Sequence, residues 1–402
     1  MTMFPQAGDG AAGALDGIRV LDFTAMIAGP YATRLLADLG AEVIKVEPPE
    51  GDHIRGRPPL RDGRSTYFAQ LNAGKKSLSL DLKRPEAIEA IRALARDCDV
   101  VVENFRPGVM KRLGLHYDAL AELNPRLVYC SISGYGQAGE WSGRSAYAPV
   151  LHAGCGYDVA NLYYQDGIDR PLKNGIFVAD VLGGALAFGG IQTALLRALR
   201  TGRGDHVDLA LMDAMLGLLV YECQEAQFPA DRRRPLYQPT KARDGFLLAA
   251  PISQNNFEDL AAAVEHPEWI RDPRFATSAA RERHWTELMA LLDDWAAPRS
   301  AVECEAILQR AGVPSSRYLS VREALEVPPV HERGTLQVVD DGAGAFRITN
   351  PAFRFRESPA HARDRIPGLG QDGPALMAVL GHDEATVARW IAAGVMKVAA
   401  PA

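Results

Sequence analysis

"GIRVLDFTAMIAGPYATRLLADLGAEVIKVEPP", residues 17–49, decides how this chain is built. Residues 18–23 are rich in β-formers, and Pro30 suits the first turn of a helix running to about Asp38. Gly40 then suits the helix C-cap, and "AEVIKVE" (41–47) reads as a second strand. The same alternation returns downstream. "RPEAIEAIRALARDCD" (84–99) is an amphipathic helix, "VVVENF" (100–105) a buried strand, "GVMKRLGL" (108–115) a short helix and "RLVYCSISGYG" (126–136) another strand. Strands separated by helices of this length imply right-handed βαβ crossovers, hence an α/β fold on a parallel sheet covered on both faces.

The chain has 402 residues, enough for two or three domains, with 47% hydrophobic and 23% charged residues, as in an ordinary globular protein. A net charge of -6 gives no global reason to bind nucleic acid or an anionic membrane, so an anionic ligand needs a local basic cluster. The N-terminal residues 1–17 lack a basic segment followed by an apolar one and read as a leader outside the fold, not as a secretory signal. Residues 181–199 are the most apolar helical stretch. Their interruptions at Gly183, Gly184, Gly189, Gly190 and Gln192 fit a core helix better than a membrane span. Cys98, Cys130, Cys155, Cys223 and Cys304 are scattered without CxxC spacing, which points to a reducing cytoplasm with no disulfide framework and no zinc site.

After a strand "HVDLALM" (206–212) and a helix to about Glu225, "PADRRRPLYQPTKARDG" (229–245) breaks the periodic apolar pattern and marks a domain boundary. A smaller helix-rich unit follows from about Gly245 to Glu326. Residues 350–373 carry little periodic structure, and Phe353 and Phe355 make them read as an extended arm lying on another surface, for which a partner subunit is natural.

Common site motifs are missing. The turn after the first strand reads "FTAMIAGP" (23–30) without GxGxxG, "NAGKKS" (72–77) lacks a complete phosphate loop, and "SISGYG" is no nucleophile elbow. One residue stands out. Asp180 in "KNGIFVADVLGG" (173–184) is a solitary acid at the start of the apolar helix, where an unpaired buried charge is costly. It is either an N-cap or a reacting group favoured in its ionised form by the helix dipole. Gly183 and Gly184 then either admit a ligand or let helices approach closely.

Blocks 15–52, 67–86, 101–115, 124–139, 200–214 and 368–395 resemble, in order, those of the class III (family III) CoA-transferases, the group that includes formyl-CoA and carnitine CoA-transferases. The resemblance implies a Rossmann-like large domain over 1–225, a small domain over 226–330 and a segment 331–402 returning to the large domain. It also implies an interlocked homodimer, which would account for the arm. Asp180 takes the place of the family's nucleophile, and Tyr147 stands near the acyl group. Arg55, Lys75, Asn104, Phe105 and Arg112 fall in the blocks that bind CoA, Arg112 being the first cation to back, while Pro48 replaces a basic residue that some relatives carry.

The expected reaction moves CoA from an acyl-CoA to a small carboxylic acid through aspartyl anhydride and aspartyl-CoA thioester intermediates. Acyl-CoA is a substrate, and no tightly bound cofactor, metal, nucleic acid or membrane is expected. A 2-methylacyl-CoA racemase is the rival, but its basic His is replaced by Tyr147, and His152 lies five residues out of register. An intramolecular CoA-transfer isomerase and a catalytically silent homologue are further alternatives. Lys173, Arg243 and the run Arg232, Arg233 and Arg234 are cations that would favour a dicarboxylic acid, if they are more than a solvated loop.

Overall fold

Strand β1 (Arg19–Asp22) lies at the middle of a seven-stranded sheet in the computed structural model, which describes residues 12–230, 236–251 and 253–399. It is joined by β2 (Glu42–Glu47), β3 (Lys76–Leu80), β4 (Val100–Glu103), β5 (Val128–Ser133), β6 (His206–Ala210) and a short C-terminal β7 (Met396–Lys397). The order is β7-β3-β2-β1-β4-β5-β6, parallel except for β7. Without its edge strand this is the doubly wound order 3-2-1-4-5-6, whose direction of growth reverses between β1 and β4. Register there pairs Arg19 with Glu42 on one side and Val20 with Val100 on the other.

The strands are buried on both faces. Val20, Val43 and Val100 pack with helix α1 (Ala28–Asp38) and a later helix α5 (Val178–Thr201), whereas Leu21, Ile44 and Val101 pack with α3 (Pro85–Arg96) and the C-terminal helices. This alternation turns the run "VVV" into two cores back to back. The unit formed by residues up to Gln224 and from His331 onward encloses it.

Polar groups also hold the sheet. Asp22, the last residue of β1, accepts from Lys75 Nζ at 2.9 Å, Thr33 Oγ1 at 2.8 Å and the Thr24 main chain at 2.9 Å. Lys45 on β2 pairs with Asp52 at 2.9 Å, and both lysines are fully buried. Burial pushes the Asp22 carboxyl upward, but Lys75 and Lys45 outweigh it and hold the group at about 2.

The residues 225–330 form the second unit, with a three-stranded antiparallel sheet (Thr240–Lys241, Phe246–Ala249, Ser315–Arg317) and helices around Phe257, Phe275 and Leu288. Two of these helices, Ser278–Arg283 and Trp285–Ala296, meet at His284. The run Arg232, Arg233 and Arg234 lies outside the described residues, and Arg243 is engaged with Pro298 O and Glu303.

The arm over 350–373 is held by its own chain. Phe353 stacks on Phe188 of α5 with ring centroids 6.0 Å apart, the Gly74 N–H reaches Arg365 O, and the Arg55 guanidinium reaches Pro367 O. Helix α5 is long and apolar enough to cross a membrane by length and composition. Here its inner face, Ala179, Gly183, Gly184, Ala187, Ile191 and Ala194, is buried, while Val181, Leu186, Leu196 and Leu199 are exposed.

Candidate active site

Asp180 is the third residue of α5, not its N-cap. That position belongs to Phe177, and no side chain caps the helix there. The capping explanation for the solitary acid therefore fails. Its carboxylate is half-buried and makes no hydrogen bond or ion pair with any described residue. Burial alone lifts its pKa to about 6. The first turn of a 24-residue helix supplies a positive dipole end that favours the ionised group.

Two contacts fix where that carboxylate sits. On helix α4 (Ala148–Gly154), buried His152 accepts the Ala179 main-chain N–H on Nε2 at 3.1 Å. Its proton therefore resides on Nδ1, which has no partner among the described residues. One turn beyond Asp180, Gly184 brings α5 onto α1. A β-carbon at Gly184 would lie 2.5 Å from Ala28 O and 3.1 Å from Tyr31 Cβ, so only glycine permits this approach. Gly183 likewise faces Leu211, whose Cδ2 would stand 2.1 Å from an added β-carbon. The two glycines serve helix packing, and the expectation that they leave room for a ligand is replaced by this one.

Tyr31 belongs to a small apolar cluster with Ile54, Phe68 and Tyr67, and this cluster brings a further polar group to the site. Tyr67, on α2 (Thr66–Asn72), carries a hydroxyl raised by burial and by the Asp180 charge and lowered by Arg57. No described residue hydrogen-bonds to the Tyr67 hydroxyl or to the Arg57 guanidinium. Tyr67 opens the block 67–86, and nothing in the sequence assigns it a role. Its signal, a lone tyrosine beside a core phenylalanine, is weak before the helix is placed against α1.

Tyr147 is the N-cap of α4 and 66% exposed. It lines a cavity of about 160 Å³ with Asn104, Phe105, Arg106 and Arg144. A second cavity of about 380 Å³ opens at the carboxyl ends of β1 to β4, lined by Phe23, Ala25, Pro48, Lys83, Phe105 and Leu113 among others. Phe105 joins the two. Its N–H donates to Glu103 Oε2 at 2.9 Å, and burial lifts the Glu103 carboxyl to about 7.

The expected CoA contacts separate into two groups. Lys75 donates to Asp22, Thr33, Asn72 and Pro30 O inside the core, so it has no face left for a phosphate and that expectation is corrected. Arg55 donates to both Glu47 oxygens at 2.7 Å and to Pro367 O at 3.1 Å, which ties it to the fold as well. Asn104 clamps the reversal point of the sheet, donating to Ala25 O and accepting Ala25 N–H. Phe105 faces open space, and Arg112 is exposed with no side-chain partner among the described residues. Among the described residues no group of three or more His, Cys, Asp or Glu is arranged to hold a metal, and all five cysteines are free thiols.

The profile of CoA-transferase family III matches residues 15–373. The chain belongs to CoA-transferase family III. Members move CoA from an acyl-CoA to a carboxylate, and this chain is an enzyme of that kind. Among family III relatives, the succinyl-CoA:glutarate CoA-transferase of Homo sapiens is 30% identical, over 95% of this chain and 90% of its own length. An acetyl-CoA:oxalate CoA-transferase of Acetobacter aceti is 34% identical, over 93% of this chain and 97% of its own. A crystal structure of a CAIB/BAIF family protein from Brucella suis superposes with a TM-score of 0.80 at 31% identity, covering 92% of this chain and 100% of that one.

Proposed function

We propose that Asp180 is the nucleophile of an acyl-CoA:carboxylate CoA-transferase. The carboxylate attacks the thioester carbonyl and expels CoA thiolate, leaving a mixed anhydride. The thiolate then attacks the aspartyl carbonyl, releasing the donor's acid and forming an aspartyl-CoA thioester. An acceptor carboxylate attacks that thioester, and the freed thiolate finally takes the new acyl group from the second anhydride. Each step exchanges one acyl bond for another, so water must be kept out but no external reagent enters. The observation that carries this reading is the unpartnered, half-buried Asp180 carboxylate at a helix N-terminus.

The nucleotide end of CoA fits the cavity at the carboxyl ends of β1 to β4, where doubly wound sheets bind ligands, with Phe105 as its apolar wall. Lys83 from the lining of that cavity and Arg112, next to its lining residue Leu113, are the cations for its phosphates, and Tyr147 of the neighbouring cavity is the residue for the acyl end. The relatives named for succinate, glutarate and oxalate support a small dicarboxylic acid as acceptor. The exposed apolar residues of α5 support a homodimer, interlocked as in the family resemblance, and the free thiols support a cytoplasmic setting.

The racemase alternative needs a second base at the α-carbon. His152 is a poor one, because Nε2 is occupied by Ala179 and Nδ1 carries the proton. An intramolecular isomerase uses the same nucleophile and differs only in the acceptor. The deciding experiment incubates enzyme with donor acyl-CoA, adds hydroxylamine and maps peptides. A hydroxamate at residue 180 and retained thioester in the product support the transferase. Deuterium wash-in at the α-carbon without CoA transfer would replace it by the racemase.

A further inference from the structure

The segment "HIRGRPPLRDGR" (53–64) holds four arginines beside the site, and three are consumed by the fold. Arg55 is bound to Glu47 and Pro367 O, Arg61 donates to Ala343 O at 2.7 Å, and Arg64 donates to Asp341 O. Arg57 is left over. It is exposed, and no described residue accepts from its guanidinium.

Its position is set from both sides. The Arg57 main-chain N–H donates to Ile54 O at 3.0 Å, closing the short 3-10 turn His53–Gly56. That turn is pinned to α2, because the Arg55 guanidinium lies 3.9 Å over the Phe68 ring. Phe68 follows Tyr67, and Ile54, Phe68, Tyr67 and Tyr31 share one cluster. Tyr31 in turn meets Gly184, one turn along α5 from Asp180. The packing therefore carries a continuous line from Arg57 through Tyr67 to Asp180. All three polar heads on it lack a partner among the described residues.

A nucleophilic carboxylate at one end needs a reacting carboxyl or thioester carbon beside it. A free guanidinium at the other end matches a second carboxylate with paired, charge-assisted hydrogen bonds, and a hydroxyl between them can donate to the carboxyl nearer Asp180. We propose that Arg57 receives the remote carboxylate of a dicarboxylic acid whose other carboxyl group reacts at Asp180. Arg57 thereby sets the enzyme's preference for dicarboxylic over monocarboxylic acids. This inference rests on the transferase reading and goes past it by assigning the specificity to one side chain.

The test measures kcat/KM for glutarate and for valerate, acids of equal carbon number, with one fixed acyl-CoA donor. The wild-type enzyme prefers glutarate. In Arg57→Met the glutarate-to-valerate ratio falls roughly 10- to 100-fold, the scale of one charge-assisted contact. Arg57→Lys, which keeps the charge but loses the planar fork, retains part of the ratio. A wild-type preference for valerate, or a ratio that does not move in either variant, overturns the proposal while leaving the transferase reading in place. Failure of the wild-type enzyme to move CoA to any acid would instead remove the transferase reading, and this inference with it.

Discussion

His152 Nε2 accepts the N–H of Ala179 at 3.1 Å, one residue ahead of Asp180, so a buried imidazole on α4 holds the first turn of the helix that carries the proposed nucleophile. Burial lowers the imidazole pKa, which keeps Nε2 free to accept. A glutamine can place an acceptor oxygen in the same space, and a phenylalanine cannot. His152→Phe is expected to lower kcat roughly 10- to 100-fold with little change in KM for the acyl-CoA, as displacement of a reacting group does. His152→Gln recovers most of kcat. Steady-state kinetics on both variants decides it, and equal loss in the two would mean that the ring serves packing alone.

Asp180 links activity and stability with opposite signs. The group must be ionised to attack, so kcat/KM should fall tenfold per pH unit below about 6, where burial places its pKa. A folded pKa above the unfolded one means that the folded state loses stability as pH rises from the unfolded value through about 6. Removing the charge reverses that loss. Asp180→Asn, which abolishes turnover, is expected to raise stability at pH 7 by about 1–3 kcal/mol and to leave it unchanged below pH ~4. Denaturant melts of both proteins at the two pH values measure the difference.

Lys75 separates structural from binding roles among the cations. Lys75→Met leaves Asp22 buried without its main countercharge, and a loss of about 3–5 kcal/mol is expected. CoA affinity of the folded fraction should change far less than in Arg112→Ala. In the parent enzyme, Asp22 with its depressed pKa contributes stability above the unfolded carboxylate pKa of about 3.9. That contribution is lost as pH falls towards about 2. The acid unfolding profile of Lys75→Met should lack this part of the transition.

Gly184→Ala tests the approach of α5 to α1. The added methyl meets the Ala28 carbonyl, which belongs to a helix backbone and cannot rotate away, so a loss of about 1–3 kcal/mol is expected. Gly183→Ala meets only the end of the Leu211 side chain and should cost less. Melting curves of the pair give the ranking, and turnover should drop more for Gly184→Ala because the helix carrying Asp180 moves.

The alternation of the first fifty residues announces the doubly wound sheet, because apolar periodicity of strands and helices is local and strong there. "KSLSL" (76–80) does not announce a strand: its serines are polar in the sequence, yet Ser77 and Ser79 are buried against Glu47 and Pro48 O. Asp180 is legible as an acid out of place, but not as an interior residue of a helix turn, since the helix begins three residues before the apolar run of 181–199. The basic residues were the least legible. Arg55, Lys75 and Arg57 look alike in a sequence, and only their partners, which are Glu47, Asp22 and no described residue, tell a strut from a ligand group.

The large sheet ends on β7, two residues that pair antiparallel with β3 and whose preceding Val395 accepts the Asp81 N–H. During synthesis, strand β3 emerges early and must wait for nearly the entire remaining chain, inserted unit included, before its outer edge is covered. Until then it presents a row of unsatisfied amides to any other nascent strand. Ribosomal stalling or a premature stop shortly before Met396 would thus release a protein with both proposed catalytic groups, Asp180 and Tyr147, already in place but with a sticky flank, prone to precipitate before it can turn over substrate.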